Sequence, residues 1–241
     1  MRKKSTKQTK LQEMILNEKT PSYVLEAYRE MRTNILYLPI SARCRKLAFT
    51  SACAKEGKTV TSINIAICLV QLGKKVLLID ADIRASLVSR YLDLKKTNGL
   101  NEYLLLMDDE PNVLTDIPAA KGVDVLLAGT LSSNPGDLMM SERMKKMIDV
   151  FSLKYDYIIF DTPPVNVVND ATTLLGLVDG YIFVVRSDYS DINDVKESIE
   201  KFSKLDANVY GFVLNDEKER RGNYGRYKND QYDNYYGGYG D

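Results

Sequence analysis

Strand-length apolar runs separated by amphipathic stretches set the pattern of this chain. "KLAFTSA", "KVLLIDAD", "VDVLLAG", "DYIIFDTPP", "GYIFVVRS" and "NVYGFVLN" are mostly apolar, with little polar alternation. Such runs are expected to be strands buried on both faces, as in parallel sheets. Between them, apolar positions recur every three to four residues. "SYVLEAYREMRTNILYL" puts Val24, Leu25, Tyr28, Met31, Ile35 and Leu38 on one stripe. Ser22 is the expected cap of that helix and Pro39 its stop. Further helices are expected over residues 59–72 (halted by Gly73), "GLNEYLLLMDD", "DLMMSERMKKMIDVFSLKY", 171–178 and 192–205. Strand and helix alternate throughout. This predicts an α/β fold with a doubly wound, mostly parallel sheet flanked by helices. In such sheets ligands bind beyond the carboxyl ends of the strands.

The two ends of the chain depart from the pattern. Residues 1–20 are polar, and Arg2, Lys3, Lys4, Lys7 and Lys10 make the first ten basic. A flexible arm is expected there, ahead of a domain over 21–217. Residues 218–241 contain no Leu, Ile or Val, but hold Tyr224, Tyr227, Tyr232, Tyr235, Tyr236 and Tyr239. A segment that cannot bury a core is expected to be a disordered tail.

Composition narrows the chemistry. The 241 residues suit one α/β domain. Lys+Arg and Asp+Glu both count 33, so no global charge bias favours nucleic acid. There is no histidine, which excludes His-based triads and His zinc sites. Cys44, Cys53 and Cys68 are scattered and form no C-x-x-C pair, a usage that fits a reducing cytoplasm. No apolar run approaches the roughly 20 residues of a membrane span, and no signal-peptide pattern opens the chain. Any work at a membrane is expected to depend on another molecule.

Three clusters at predicted strand ends carry candidate chemistry. Gly57-Lys58-Thr59 closes a phosphate-loop pattern in "SACAKEGKTV", although Ala52 stands where the general spacing has glycine. Backbone N–H groups at a helix start face phosphate oxygens. Lys58 is expected to neutralise phosphate charge and Thr59 to meet Mg²⁺. The loop over Cys53, Ala54, Lys55, Glu56, Gly57, Lys58, Thr59 and Val60 is the expected ATP cradle. Asp80 and Asp82 leave a buried strand two residues apart, which is costly unless a cation meets them. Asp161 ends "YIIFD" as a Walker B acid would. Asn215 ends the last strand, where adenine binding and a simple turn are both open. Without histidine, Asp80 or Asp82 is the expected group to orient or deprotonate an attacking hydroxyl.

With these residues in place, the sequence resembles the bacterial tyrosine kinases. "VLLIDADIR" looks like their Walker A′ motif and "YIIFDTPP" their Walker B. Glu26, Arg29 and Arg32 are similar to the E-x-x-R-x-x-R motif that assembles a ring in that family, and the tail resembles its tyrosine cluster. The resemblance implies ATP and Mg²⁺ as cofactors, with Lys58, Thr59, Asp80, Asp82 and Asp161 in the site. It implies autophosphorylation in trans on the tail tyrosines within a homo-oligomeric ring. It also implies a role in capsular or exopolysaccharide synthesis. The implied partners are a transmembrane activator of the chain-length-regulator type, which would hold the kinase at the inner membrane face, and a cognate tyrosine phosphatase. The family's loop reads close to P-G-E-G-K-[ST], whereas Ala54 and Lys55 occupy the first two of those positions here. Arg84 is followed by Ala85-Ser86, where the family often has Lys-Pro.

Two other readings share the fold. A Min/Par-type ATPase switch carries a lysine five residues before the loop lysine, a position held here by Cys53. A nucleotide-binding scaffold of polysaccharide machinery with little kinase activity is the other.

Overall fold

The computed structural model describes residues 10–130 and 135–217. The six tail tyrosines, and Arg2, Lys3, Lys4 and Lys7, lie outside the described residues. The strands are β1 (Arg45–Thr50), β2 (Val76–Asp80), β3 (Val113–Leu114), β4 (Val123–Leu126), β5 (Tyr157–Asp161), β6 (Gly180–Arg186) and β7 (Val209–Asn215). They form one sheet in the order β3-β4-β2-β5-β1-β6-β7. Only the pairing of β3 with β4 is antiparallel. The helices are α1 (Ser22–Leu36), α2 (Lys58–Val70), α3 (Val88–Tyr91), α4 (Leu100–Leu104), α5 (Pro135–Met139), α6 (Glu142–Ser152) and α7 (Ile192–Ser203).

The apolar runs are continuous because each central strand feeds two cores. Leu47 and Phe49 of β1, Val76 and Leu78 of β2, and Tyr157 and Ile159 of β5 pack on the α1/α2 face. Their neighbours Ala48, Leu77, Ile79, Ile158 and Phe160 pack on the α6/α7 face. Successive side chains point to opposite faces, so a covered sheet needs apolar residues at both. On the second face Phe202 of α7 meets Tyr181 and Phe183 edge-on, at 4.6 and 5.1 Å between centroids.

Several sequence expectations are corrected. The expected single helix over "DLMMSERMKKMIDVFSLKY" is two, α5 and α6. Ser141 caps the second by accepting from the Met144 N–H at 3.2 Å. The helix expected near 171–178 is a 3₁₀ helix over Asn169–Leu174. Ser22 does not cap α1. Pro21 occupies that position, with no side-chain bond, because its ring carries no oxygen to accept from the first-turn N–H groups. Ile15 and Leu16, expected within the flexible arm, are buried in the first core. Asn64 of α2 holds them there: its Oδ1 accepts the Leu16 N–H at 2.9 Å and its Nδ2 donates to the Met14 carbonyl at 3.0 Å. Asn64 is itself buried, and its amide needs these partners. Among the described residues, no helix is long and apolar enough to cross a membrane.

Candidate active site

The strand order brings the three predicted clusters together. β5 lies between β1 and β2, and its register sets Asp161 directly opposite Asp80 and Phe49. The chain leaving β1 forms loop 51–57 and enters α2 through Gly57, whose φ is +98°. That φ favours glycine, and a Cβ at Gly57 would also stand 2.0 Å from Asn215 Nδ2 and displace that side chain. The first turn of α2 has no side-chain cap, which leaves its opening N–H groups for an anion.

Inside this loop the charges face each other in buried surroundings. Lys58 Nζ is 3.3 Å from Asp82 Oδ2, and both side chains are about nine-tenths buried or more. Asp82 Oδ1 accepts the Ala85 N–H at 3.0 Å, and Asp80 Oδ2 accepts the Ser86 hydroxyl at 2.5 Å. Asp80 and Asp161 are fully buried. Asp80 Oδ1 and both oxygens of Asp161 are without a hydrogen-bond partner among the described residues. Burial, with the Asp161 charge second, raises the Asp80 pKa well above the usual carboxylate range. Burial also lifts Asp161 to about 6, against the opposing pull of Lys58 and of the Thr59 hydroxyl, which is close without completing an aligned bond. Burial alone would lower the Lys58 pKa, but Asp161, Asp82 and Asp80 outweigh it, so the ammonium stays charged.

Three orphaned, desolvated carboxylate oxygens beside one ammonium are the chemistry of a cation site. Among the described residues no three His, Cys, Asp or Glu side chains are grouped closely enough to bind a metal unaided. That suits Mg²⁺, which is held through one or two carboxylates, waters and substrate phosphates.

The remaining expected residues divide between the loop, the end of β7 and α1. Ala54 and Lys55 are exposed, whereas Glu56 is buried. Lys55 has φ +66°, which explains why glycine suits that position. Asn215, expected at adenine or in a turn, donates its Nδ2 to the Glu56 carbonyl at 3.0 Å. Glu26 and Arg29 pair with each other on the exposed face of α1. Arg32 donates to the Cys68 carbonyl at 3.3 Å. Sequence reasoning missed Ser86, Arg186, Tyr189 and Ser190. The last three belong to "RSDYSD", which begins on the last residue of β6, and the rule that ligands gather at strand carboxyl ends was the available signal.

A phosphate loop after β1 with acids ending β2 and β5 defines a P-loop nucleotide-binding protein. The AAA domain family matches residues 48–210. The tyrosine-protein kinase YwqD of Bacillus subtilis (strain 168) is 34% identical over 203 residues, covering 84% of this chain and 85% of that protein. The kinase domain of Escherichia coli tyrosine kinase ETK superposes with a TM-score of 0.76 at 30% identity, covering 82% of this chain and 77% of that one. The chimerical protein CapA2B2 gives 0.75 at 30% identity, covering 82% and 86%. Within the P-loop class, the chain belongs to the bacterial protein-tyrosine kinases. It spans only 26% of the longer etk chain of Escherichia coli (strain K12).

Proposed function

We propose that this kinase transfers the γ-phosphoryl group of ATP to the tyrosines at 224, 227, 232, 235, 236 and 239 of a neighbouring copy. The observation that carries this reading is the pair of fully buried aspartates, Asp80 and Asp161, whose unpaired oxygens face Lys58 at the mouth of a phosphate loop. Loop amides and Lys58 hold the phosphates. Thr59, Asp82 and Asp161 would hold Mg²⁺, which would supply charge neutralisation for the transferring phosphoryl group. Asp80, oriented by Ser86, accepts the tyrosine proton as the phenolic oxygen bonds to phosphorus and the bond to ADP breaks. Asn215 supports the loop rather than reading adenine.

The same reading places the kinase in capsular or exopolysaccharide synthesis, at the inner membrane face through a transmembrane activator, with a phosphatase to reset the tail. Purified protein with an activator fragment and Mg-ATP is expected to gain phosphate on residues 224–239, and Lys58→Met to gain none. Mass spectrometry that finds ATP hydrolysed but the tail unmodified would overturn the assignment and favour a switch ATPase.

A further inference from the structure

Four consecutive loop residues, Cys53 to Glu56, are each held from outside by the stretch that runs from the last residue of β6, Arg186, into the first turn of α7. Cys53 Sγ lies 3.4 Å from Asp194 Oδ2. Tyr189 donates its hydroxyl to the Ala54 carbonyl at 3.3 Å. Arg186 Nη1 donates to the Lys55 carbonyl at 3.3 Å. The Ser190 hydroxyl donates to Glu56 Oε1. Glu56 is only 1% exposed, and its second oxygen accepts the Cys53 N–H at 2.7 Å, closing the loop on itself. None of these contacts touches Lys58, Asp80, Asp82 or Asp161, so they are separate from the groups assigned to the chemistry.

A phosphate cradle acts through N–H groups fixed before the ligand arrives, since ordering a loop on binding subtracts from affinity. Two positions of this loop do little to fix its shape by themselves. Ala54 leaves φ free, and Lys55 holds a left-handed conformation that a lysine does not favour (φ +66°). We infer that Arg186, Tyr189 and Ser190 form a latch of positioning residues that holds the phosphate loop in its binding shape, with Glu56 as the buried strut between latch and loop. The inference rests on reading residues 53–60 as the nucleotide cradle. It adds the claim that the β6–α7 segment governs how well that cradle is preorganised.

The latch differs from general structural support in what its loss changes. Loop order sets nucleotide affinity, whereas the transfer step depends on Lys58 and the aspartates. Ser190→Ala leaves a buried carboxylate oxygen without its donor, a loss worth about tenfold in an equilibrium constant. Isothermal titration with Mg-ADP on the full chain is expected to give a Kd raised about tenfold in Ser190→Ala and nearly restored in Ser190→Thr. The KM for ATP should rise in parallel while kcat stays within twofold. Tyr189→Phe removes only the hydroxyl of a half-exposed ring, so it folds even if Ser190→Ala does not; it should raise Kd by about threefold. The inference is overturned if Tyr189→Phe, and Ser190→Ala where it folds, bind Mg-ADP within error of wild type. Equal losses in kcat and affinity would overturn it too. Lys58→Met separates the two levels: if it keeps its nucleotide affinity, the cradle reading fails; if it loses affinity while the latch variants do not, only the latch fails.

Discussion

Lys55 occupies the left-handed region (φ +66°) with its side chain in solvent. That conformation costs an ordinary residue roughly 1–2 kcal/mol, which glycine does not incur. Lys55→Gly is therefore expected to raise the unfolding free energy by about 0.5–1 kcal/mol, part of the relief being offset by the added freedom of glycine in the unfolded chain. Because the side chain is exposed to solvent, Mg-ADP affinity should stay within twofold. Denaturant melts and titration calorimetry of the pair check both expectations; a large loss of affinity would assign Lys55 a phosphate contact. Asp161 gives the pH dependence. Its folded pKa of about 6 lies above the roughly 3.9 of an unfolded aspartate. Ionising it in the fold is thus unfavourable, and its contribution to stability is lost as pH rises from about 4 through 6. Asp161→Asn cannot ionise. It should stabilise the nucleotide-free protein little near pH 4 and fully above about pH 7, as thermal melts across that range would register. Cys53 behaves differently. Burial, and then its bond to the Asp194 carboxylate, push its thiol up to about 11. Alkylation at pH 8 should therefore be slow, and faster in Asp194→Asn, a difference readable by timed labelling and mass spectrometry.

At the scale of elements, much of the fold could be read from the chain, and the misses share a cause. The doubly covered sheet was legible because both of its faces demand apolar residues, and the acids at 80 and 161 broke those runs where the strands end. The sequence did not disclose β3 or α3, because two- and four-residue elements carry no period. The break between α5 and α6 was hidden because Ser141 reads equally well inside a helix until its bond to the Met144 N–H is known. The latch was hidden for a related reason: hydrogen bonds across more than 130 residues of sequence leave no spacing to detect. α7 shows how packing then locates chemistry. Phe202 anchors it edge-on against Tyr181 and Phe183, and the segment leading into α7 holds the phosphate loop. Phe202→Ala should cost about 3–5 kcal/mol in chemical denaturation. Below the melting transition it should also weaken Mg-ADP binding, although the residue contacts no nucleotide group. Loss of stability with unchanged affinity would show that α7 and the loop are mechanically independent.

At the scale of the whole molecule, one guanidinium joins the nucleotide loop to the root of the tail. Arg186 contacts the Lys55 carbonyl at 3.3 Å and Asp216 Oδ2 at 2.8 and 3.0 Å, and residue 217 is the last one described. A tail pulled toward a neighbouring active site would draw on the same contact that steadies the loop. On α1, the exposed Glu26–Arg29 pair is a surface ion pair worth little to a monomer, yet it remains available to a second copy. Both features bear on assembly. If α1 builds a ring, Arg29→Ala/Arg32→Ala should reduce the mass seen by light scattering while leaving Mg-ADP affinity intact. Phosphorylation should act in the same direction on the wild type. The formal net charge is zero, and six phosphotyrosines would add roughly −9 to −12 per copy. At about 0.01 M salt, where screening takes about 30 Å, such tails repel across a ring; at about 1 M the repulsion is screened within about 3 Å. The phosphorylated protein is therefore expected to dissociate at low ionic strength and to recover its assembled mass as salt is raised. The double variant would stay small at any salt. A wild type whose mass ignores both phosphate and salt, and matches that of the double variant, would show that this kinase acts without a ring.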